Sequence, residues 1–339
     1  MKILIDINHP ADVHQFKHLI RKLGKNGDKV LITARNKDCT QELLRKEKIK
    51  FIPRKGYYGV FGKLFGMLLI DFFLLRQARK FKPDLLMGSS GNLYIAQVSK
   101  LIGKPSLIFD DTEHSTWQNI LTFPFATKII TPESYTLNLG KKQVRYNGLK
   151  ELAYLSPEYF KPNKSVLKKL GLKKTDKFII IRFVSWDAFH DIGKKRILDK
   201  VDFVEKLAKK YKVFISSESQ LPKKLKKYKL NISSLDIHSA LYYATLVISE
   251  GGTMAAESAI LGTPIIYINP LTMGYTIELM KKYNLLIQIT DTGKIIARTQ
   301  ELMQDKRIKK LWNRRLQTML KEKIDPNQFY IDVIRGSIK

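Results

Sequence analysis

The chain has 339 residues, of which 61 are Lys or Arg and 31 are Asp or Glu, a formal net charge of +30. Hydrophobic residues make up 44% and charged residues 27%, which excludes a disordered chain and leaves room for about two domains. The single cysteine, Cys39, excludes an internal disulfide and a Cys-rich zinc site, and no apolar run reaches the ~18–20 residues of a membrane span.

The chain opens with a strand over 2–7, a polar loop over 8–12, a helix over 13–23 closed by Gly24, and a strand over 29–34. That order is a βαβ unit and implies a parallel sheet. The segment 57–77, YYGVFGKLFGMLLIDFFLLRQ, is aromatic and aliphatic, helical from Lys63 on, and flanked by Arg54, Lys55, Arg76 and Arg79. It is too short to span a bilayer. Two placements are open: an anionic membrane surface, with basic side chains at the headgroups, or burial as a helix of the first domain.

The strand–turn–helix theme recurs with a strand over 83–88, the turn Ser89-Ser90-Gly91-Asn92, a helix over 93–102, and strands over 106–109 and 128–131. Pro157 and Pro162 bracket a polar stretch at the expected domain boundary. Beyond it come a strand over 178–184, a helix over 201–211, a strand over 212–216 and a helix closing at 240–244. A strand over 246–249, a glycine pair, a helix over 254–261 and a strand over 265–268 follow. The pattern predicts an α/β chain with two doubly wound parallel-sheet domains, over 1–155 and 165–325. A C-terminal helix over 326–339 is expected to return to the first domain. The positive charge runs through both halves, a field that attracts polyanions, anionic membranes or phosphorylated substrates, unless it is a Lys-rich solvated surface.

The segment Val247-Ile248-Ser249-Glu250-Gly251-Gly252-Thr253-Met254-Ala255-Ala256-Glu257 carries the sharpest chemical signal. A buried strand ends in two glycines where a helix begins. Glycine lets the backbone approach a ligand closely, and the free N–H groups of a helix start attract phosphate. Glu257, one turn into the helix, can accept both hydroxyls of a ribose. The alternative is a tight turn with an exposed Glu. His14 opens the first helix beside Asp12, where a neutral imidazole can take a proton from an acceptor hydroxyl. Asp110-Asp111-Thr112-Glu113-His114 follows a strand at the carboxyl edge, where α/β folds bind ligands. Asp111, Glu113 and His114 are therefore acid/base candidates, and helix capping is the competing role. His190 with Asp187 and Asp191 is a further polar cluster, suited to a base, a phosphate ligand or a capping turn. No metal and no cofactor are expected.

The glycine–helix segment resembles the donor-binding motif of GT-B glycosyltransferases and of non-hydrolysing UDP-N-acetylglucosamine 2-epimerases. Asp6-Ile7-Asn8-His9-Pro10-Ala11-Asp12-Val13-His14 and Lys82-Pro83-Asp84-Leu85-Leu86-Met87-Gly88-Ser89-Ser90-Gly91 are similar to the first loop and a later glycine turn of that fold. Arg182-Phe183-Val184-Ser185-Trp186-Asp187-Ala188-Phe189-His190-Asp191 and Tyr146-Asn147-Gly148-Leu149-Lys150-Glu151 resemble an uncharacterised domain-of-unknown-function family of the superfamily, over nearly the whole chain. The resemblance implies two Rossmann-like domains facing a cleft, with a nucleotide-sugar donor on the second. Glu257 would hold the ribose, and Gly251, Gly252 and Thr253 the diphosphate. Asp236, Ile237 and His238 would meet the base, and Ser185 and Trp186 the sugar or phosphates. Arg182 would neutralise phosphate or serve as a structural ion-pair partner. The chain departs from the transferases in having Asn8-His9-Pro10 in place of a glycine-rich first loop.

The function so implied is transfer of a sugar from a nucleotide sugar, a UDP-sugar, to a cell-surface glycan or lipid-linked acceptor, with no bound metal. The placement that goes with it is cytoplasmic, peripheral on the inner face of an anionic membrane. The alternative is an epimerase of the UDP-N-acetylglucosamine 2-epimerase type, to which the Asp111, Glu113 and His114 cluster is suited. A non-catalytic polyanion or nucleic-acid binder explains the charge but finds no nucleic-acid motif and leaves the glycine–helix site without a role.

Overall fold

The structure, a computed structural model, describes residues 1–37, 39–56, 60–89, 91–184 and 199–338, without the side chains of 60–65. It divides into two compact units, Met1–Tyr154 with Lys323–Lys339 and Leu155–Glu322.

In unit 1 the strands are β1 (Lys2–Ile7), β2 (Lys29–Arg35), β3 (Ile52–Arg54), β4 (Leu85–Ser89), β5 (Ser106–Phe109), β6 (Lys128–Pro132) and β7 (Gln143–Tyr146). They form one sheet in the order β3-β2-β1-β4-β5-β6-β7, every pair parallel. Helices cover such a sheet on both faces, so its inner strands read as continuous apolar runs. Ile3, Leu4, Ile5, Leu85, Leu86 and Met87 accordingly have no exposed surface. The chain runs from β1 outward to β3, then returns to β4 on the other side of β1. Strand order therefore reverses between β1 and β4, and the crevice at such a reversal is where α/β sheets take ligands.

Unit 2 contains β8 (Phe178–Phe183), β9 (Lys212–Ser217), β10 (Leu246–Ser249), β11 (Ile265–Tyr267) and β12 (Ile287–Gln288). Their order is β12-β11-β10-β8-β9, again all parallel, and the reversal lies between β8 and β10.

Sequence reasoning passes over β3, β7 and β12, all of which lie at sheet edges. Edge strands have one partner and need no long apolar run, and Pro53 is tolerated in β3 for that reason. The first helix starts at Pro10 rather than 13, because His9 acts as N-cap and Asp12 closes a capping box. The C-terminal helix, Pro326–Arg335, packs within unit 1. Its Tyr330 hydroxyl meets Gln15 at 3.3 Å and Tyr146 at 3.2 Å, and its ring stands edge-on to Phe109 at 4.6 Å. Asn327 donates to the Ala153 carbonyl at 2.8 Å, and Arg335 pairs with Asp28 at 2.6 Å.

Candidate functional site

In unit 2 the turn between β10 and the helix Gly252–Ile260 lies beside the β8/β10 reversal. The Ser249 hydroxyl holds this turn, accepting from the Gly251 amide at 3.1 Å and donating to the Gly251 carbonyl at 2.8 Å. Gly251 is the N-cap, extended at φ −89° and ψ 128°, and no side chain caps the helix. The first-turn amides of a helix lack intrahelical partners and sit at the positive end of its dipole, so an uncapped terminus of this kind can accept an anion. A Cβ on Gly252 would collide with Met273 Cε and with the Tyr275 hydroxyl, so any larger residue would have to displace those side-chain ends. Glu250 ties the two strand ends together: its carboxylate accepts from the Val184 amide at 2.9 Å and pairs with Lys200 at 2.6 Å.

Glu257 is buried, not exposed as a plain turn would leave it. Its Oε1 lies 3.0 Å from His238 Nε2, and Phe160 stands edge-on to that imidazole at 6.2 Å. Thus Glu257 and His238, two of the predicted donor-binding residues, meet directly. Ile237 begins the helix that carries His238, and the preceding Asp236 pairs with Lys169 at 2.6 Å. Thr253 stands half-buried in the first turn of the glycine helix. Arg182 is turned toward β9, donating to Ser216 at 2.9 Å and to Glu218 at 2.6 Å. Ser185, Trp186, Asp187, His190 and Asp191 lie outside the described residues.

Unit 1 also begins a helix at its strand-order reversal, but finishes it differently. The Asp12 carboxylate accepts from the amides of Asn8 at 2.9 Å and His9 at 3.0 Å, and it bonds to Ser89 at the end of β4. Burial raises the Asp12 pKa, against the opposing pull of Ser89, those amides and Lys150. Behind the cap, Asp6 receives Arg54 through Nε at 2.9 Å and Nη2 at 2.7 Å, Thr33 at 2.6 Å and Asn92 at 2.9 Å. Asn92 fits because Gly88 has no side chain: a Cβ there would lie 2.8 Å from Asn92 Nδ2.

The loop after β5 places its acids in three separate roles. Asp110 accepts from the Tyr135 hydroxyl at 2.7 Å, Asp111 pairs with Lys150 at 2.6 Å, and Glu113 accepts from the Thr136 amide at 3.1 Å. His114 is exposed, whereas His14 is buried with its ring stacked on Tyr154 at 5.3 Å. Burial works against the charge on Lys150, yet Asp111 and Glu151 outweigh it and raise the lysine pKa. Lys150 and Asp6 stand in the motifs quoted above and Arg54 flanks the 57–77 segment, but the sequence assigns none of them a role at the site. A lone acid inside the apolar run of β1 was the available signal for Asp6. Among the described residues, no cluster of three or more His, Cys, Asp or Glu is arranged to hold a metal ion.

Comparison with known proteins agrees with this architecture. A family model described as "Protein of unknown function (DUF354)" matches residues 1–325. An uncharacterised protein of Methanocaldococcus jannaschii is 26% identical over 314 residues, covering 87% of this chain and 90% of that protein. The UDP-GlcNAc 2-epimerase from Neisseria meningitidis bound to UDP-GlcNAc superposes with a TM-score of 0.75 at 14% identity, over 99% of this chain and all of that one. The spinosyn rhamnosyltransferase SpnG, complexed with spinosyn aglycone, gives a TM-score of 0.61 at 13% identity, over 98% of this chain. The fold is GT-B, α/β with two Rossmann-like units.

Proposed function

We propose that this chain, which belongs to the DUF354 family, is a glycosyltransferase that moves a sugar from a UDP-sugar to a cell-surface glycan or lipid-linked acceptor. The observation that carries the reading is the uncapped start of the helix Gly252–Ile260, with a buried carboxylate one turn further on. The amides of Gly252 and Thr253 receive the diphosphate. Glu257, held through one oxygen by His238, receives the ribose hydroxyls. In the transfer step an acceptor hydroxyl bonds to the anomeric carbon, the bond to the diphosphate breaks, and UDP leaves with the electron pair. The helix terminus stabilises the departing negative charge. The acceptor proton passes to a general base, for which His14 is the first candidate and Asp111 the second.

A second reading, epimerisation at C2 of a UDP-sugar, is favoured by the buried Asp111–Lys150 pair, a carboxylate and an ammonium held together in a reaction that needs no acceptor. Mass spectrometry separates the two. Incubation of the protein with UDP-sugars and a lipid extract should yield UDP and a glycosylated acceptor. An epimerase would instead introduce solvent deuterium at C2 of the sugar nucleotide with no extract present. Absence of UDP-sugar binding by calorimetry would end both readings.

A further inference from the structure

We infer that the outer face of the helix layer of unit 1 is a docking surface for an anionic lipid bilayer. Three helices, Val60–Phe81, Leu93–Leu101 and Thr116–Thr122, lie side by side, in that order, on one side of the sheet. The first two seat Ile70, Leu74, Ala78, Ile95, Ala96 and Val98 in a single core cluster with Leu86, Ile108 and Ile129 of the strands beneath.

The first helix is apolar on both sides. Its inner stripe is buried, yet Leu68 is 70% exposed and Phe72 69% exposed on the opposite side. The third helix is inside out. Its buried positions are the polar Asn119 and Thr122, while Trp117 is 80% exposed and Ile120 55%, followed by the exposed Leu121 and Phe125. A helix whose outer face meets only water has the reverse pattern, with polar residues outward. Core packing does not explain large apolar side chains on the solvent face of the first and third helices, and Leu101 of the helix between them is 69% exposed as well. Exposed apolar surface of that kind on one helix layer marks a surface that meets an apolar partner.

Charge identifies the partner. The three helices carry five basic residues and one acid, Asp71. Arg76, Arg79 and Lys80 are exposed at the end of the first helix, and Lys100 at the end of the second. A second copy of the chain would bring these basic rims together on a molecule of net charge +30. Anionic headgroups neutralise them while Trp117 and Phe72 enter the acyl boundary, the arrangement of interfacial helices. Among the described residues no helix is long and apolar enough to cross a membrane, so the mode is surface docking. The inference is independent of the sugar-nucleotide reading, and its test uses no nucleotide.

The test is co-sedimentation of the full chain with vesicles of phosphatidylglycerol in phosphatidylcholine, and with phosphatidylcholine alone. Wild type should pellet with the first and much less with the second. The double variant Trp117→Ser/Ile120→Ser should bind about tenfold more weakly at low salt while keeping the wild-type circular dichroism spectrum. Independently of any folding defect, brominated lipids should quench wild-type tryptophan emission, and Trp117→Phe should remove that quenching. Three results would overturn the inference: a folded double variant that binds as wild type does, quenching that survives in Trp117→Phe, or a wild-type dimer that the double variant dissolves with no vesicle binding by either.

Discussion

At the β1/β4 reversal, the helix Pro10–Lys25 is closed by its own chain: His9 Nδ1 accepts from the Ala11 amide, and Asp12 accepts from the amides of Asn8 and His9 just before the helix. At the β8/β10 reversal, the helix Gly252–Ile260 starts from a glycine with no side chain to offer its leading amides. The two positions are topologically alike, yet unit 1 closes its helix terminus with its own side chains and unit 2 leaves its first turn without a side-chain cap. Fold position alone thus does not distinguish the two halves; the residues of the first turn do. The presence of Asn8-His9-Pro10, rather than glycines, in the first loop follows from the same contrast. That loop is shaped to bring its amides onto Asp12, not onto a phosphate.

If unit 1 is self-satisfied, damage there should appear as lost stability. Arg54→Leu leaves Asp6 buried and without its guanidinium, which should cost ~3–5 kcal/mol. Urea denaturation checks this, and a loss below 1 kcal/mol would break the comparison at its strongest point. In unit 2 the damage should appear in binding. Glu257→Ala should weaken UDP by roughly 1–3 kcal/mol, the cost of a lost charge-assisted hydrogen-bond partner, as read by calorimetry. Unchanged affinity would remove Glu257 from the site.

The variant that should convert one terminus into the other is Asp12→Ala. It removes the Asp12 half of the capping box, at a cost of ~0.5–2 kcal/mol, and frees the amides of Asn8 and His9 while His9 still caps Ala11. Inorganic phosphate should then raise the melting temperature of the variant more than that of wild type. Equal phosphate responses would mean that Asp12 does not close the position.

The smallest effect expected concerns Asp71, a unit 1 carboxyl for which burial is the main influence on its titration. Burial pushes its pKa up to about 6. A raised carboxyl pKa favours the protonated folded state, so the associated stability is complete below about pH 4 and is lost as pH rises through 6. Water screens this half-buried group, so the change should be about 1 kcal/mol. Asp71→Asn should flatten that part of the stability–pH curve, and an unaltered slope would assign it to other groups.

Legibility in the sequence followed the distance over which residues act. β1, β5 and β10 were read to the residue because each is an apolar run with a breaker at its end. The glycine pair and Glu257 were legible because one strand, one turn and one helix hold them together. His238, 19 residues from Glu257, was placed near the nucleotide only by resemblance. Arg54, 48 residues from Asp6, was out of reach, since nothing local in Ile-Pro-Arg indicates that its guanidinium reaches past β2 to β1. The helix Thr116–Thr122 was hidden for a different reason: its inverted pattern defeats any reading that assumes apolar residues face inward.

The return of the C-terminal helix has a consequence for biosynthesis. Tyr330 is completely buried among Phe109, Tyr146 and Gln15, so the core of unit 1 lacks a member until the helix Pro326–Arg335 is made. Unit 2 is contiguous, Leu155–Glu322, and is fully synthesised before that helix. At ~5–20 residues per second, the ribosome delivers the Met1–Tyr154 part of unit 1 many seconds ahead of the piece that completes it. During that interval β7, which carries Tyr146, must wait with an unfinished neighbour, and nascent unit 1 rather than unit 2 is where a chaperone would be needed.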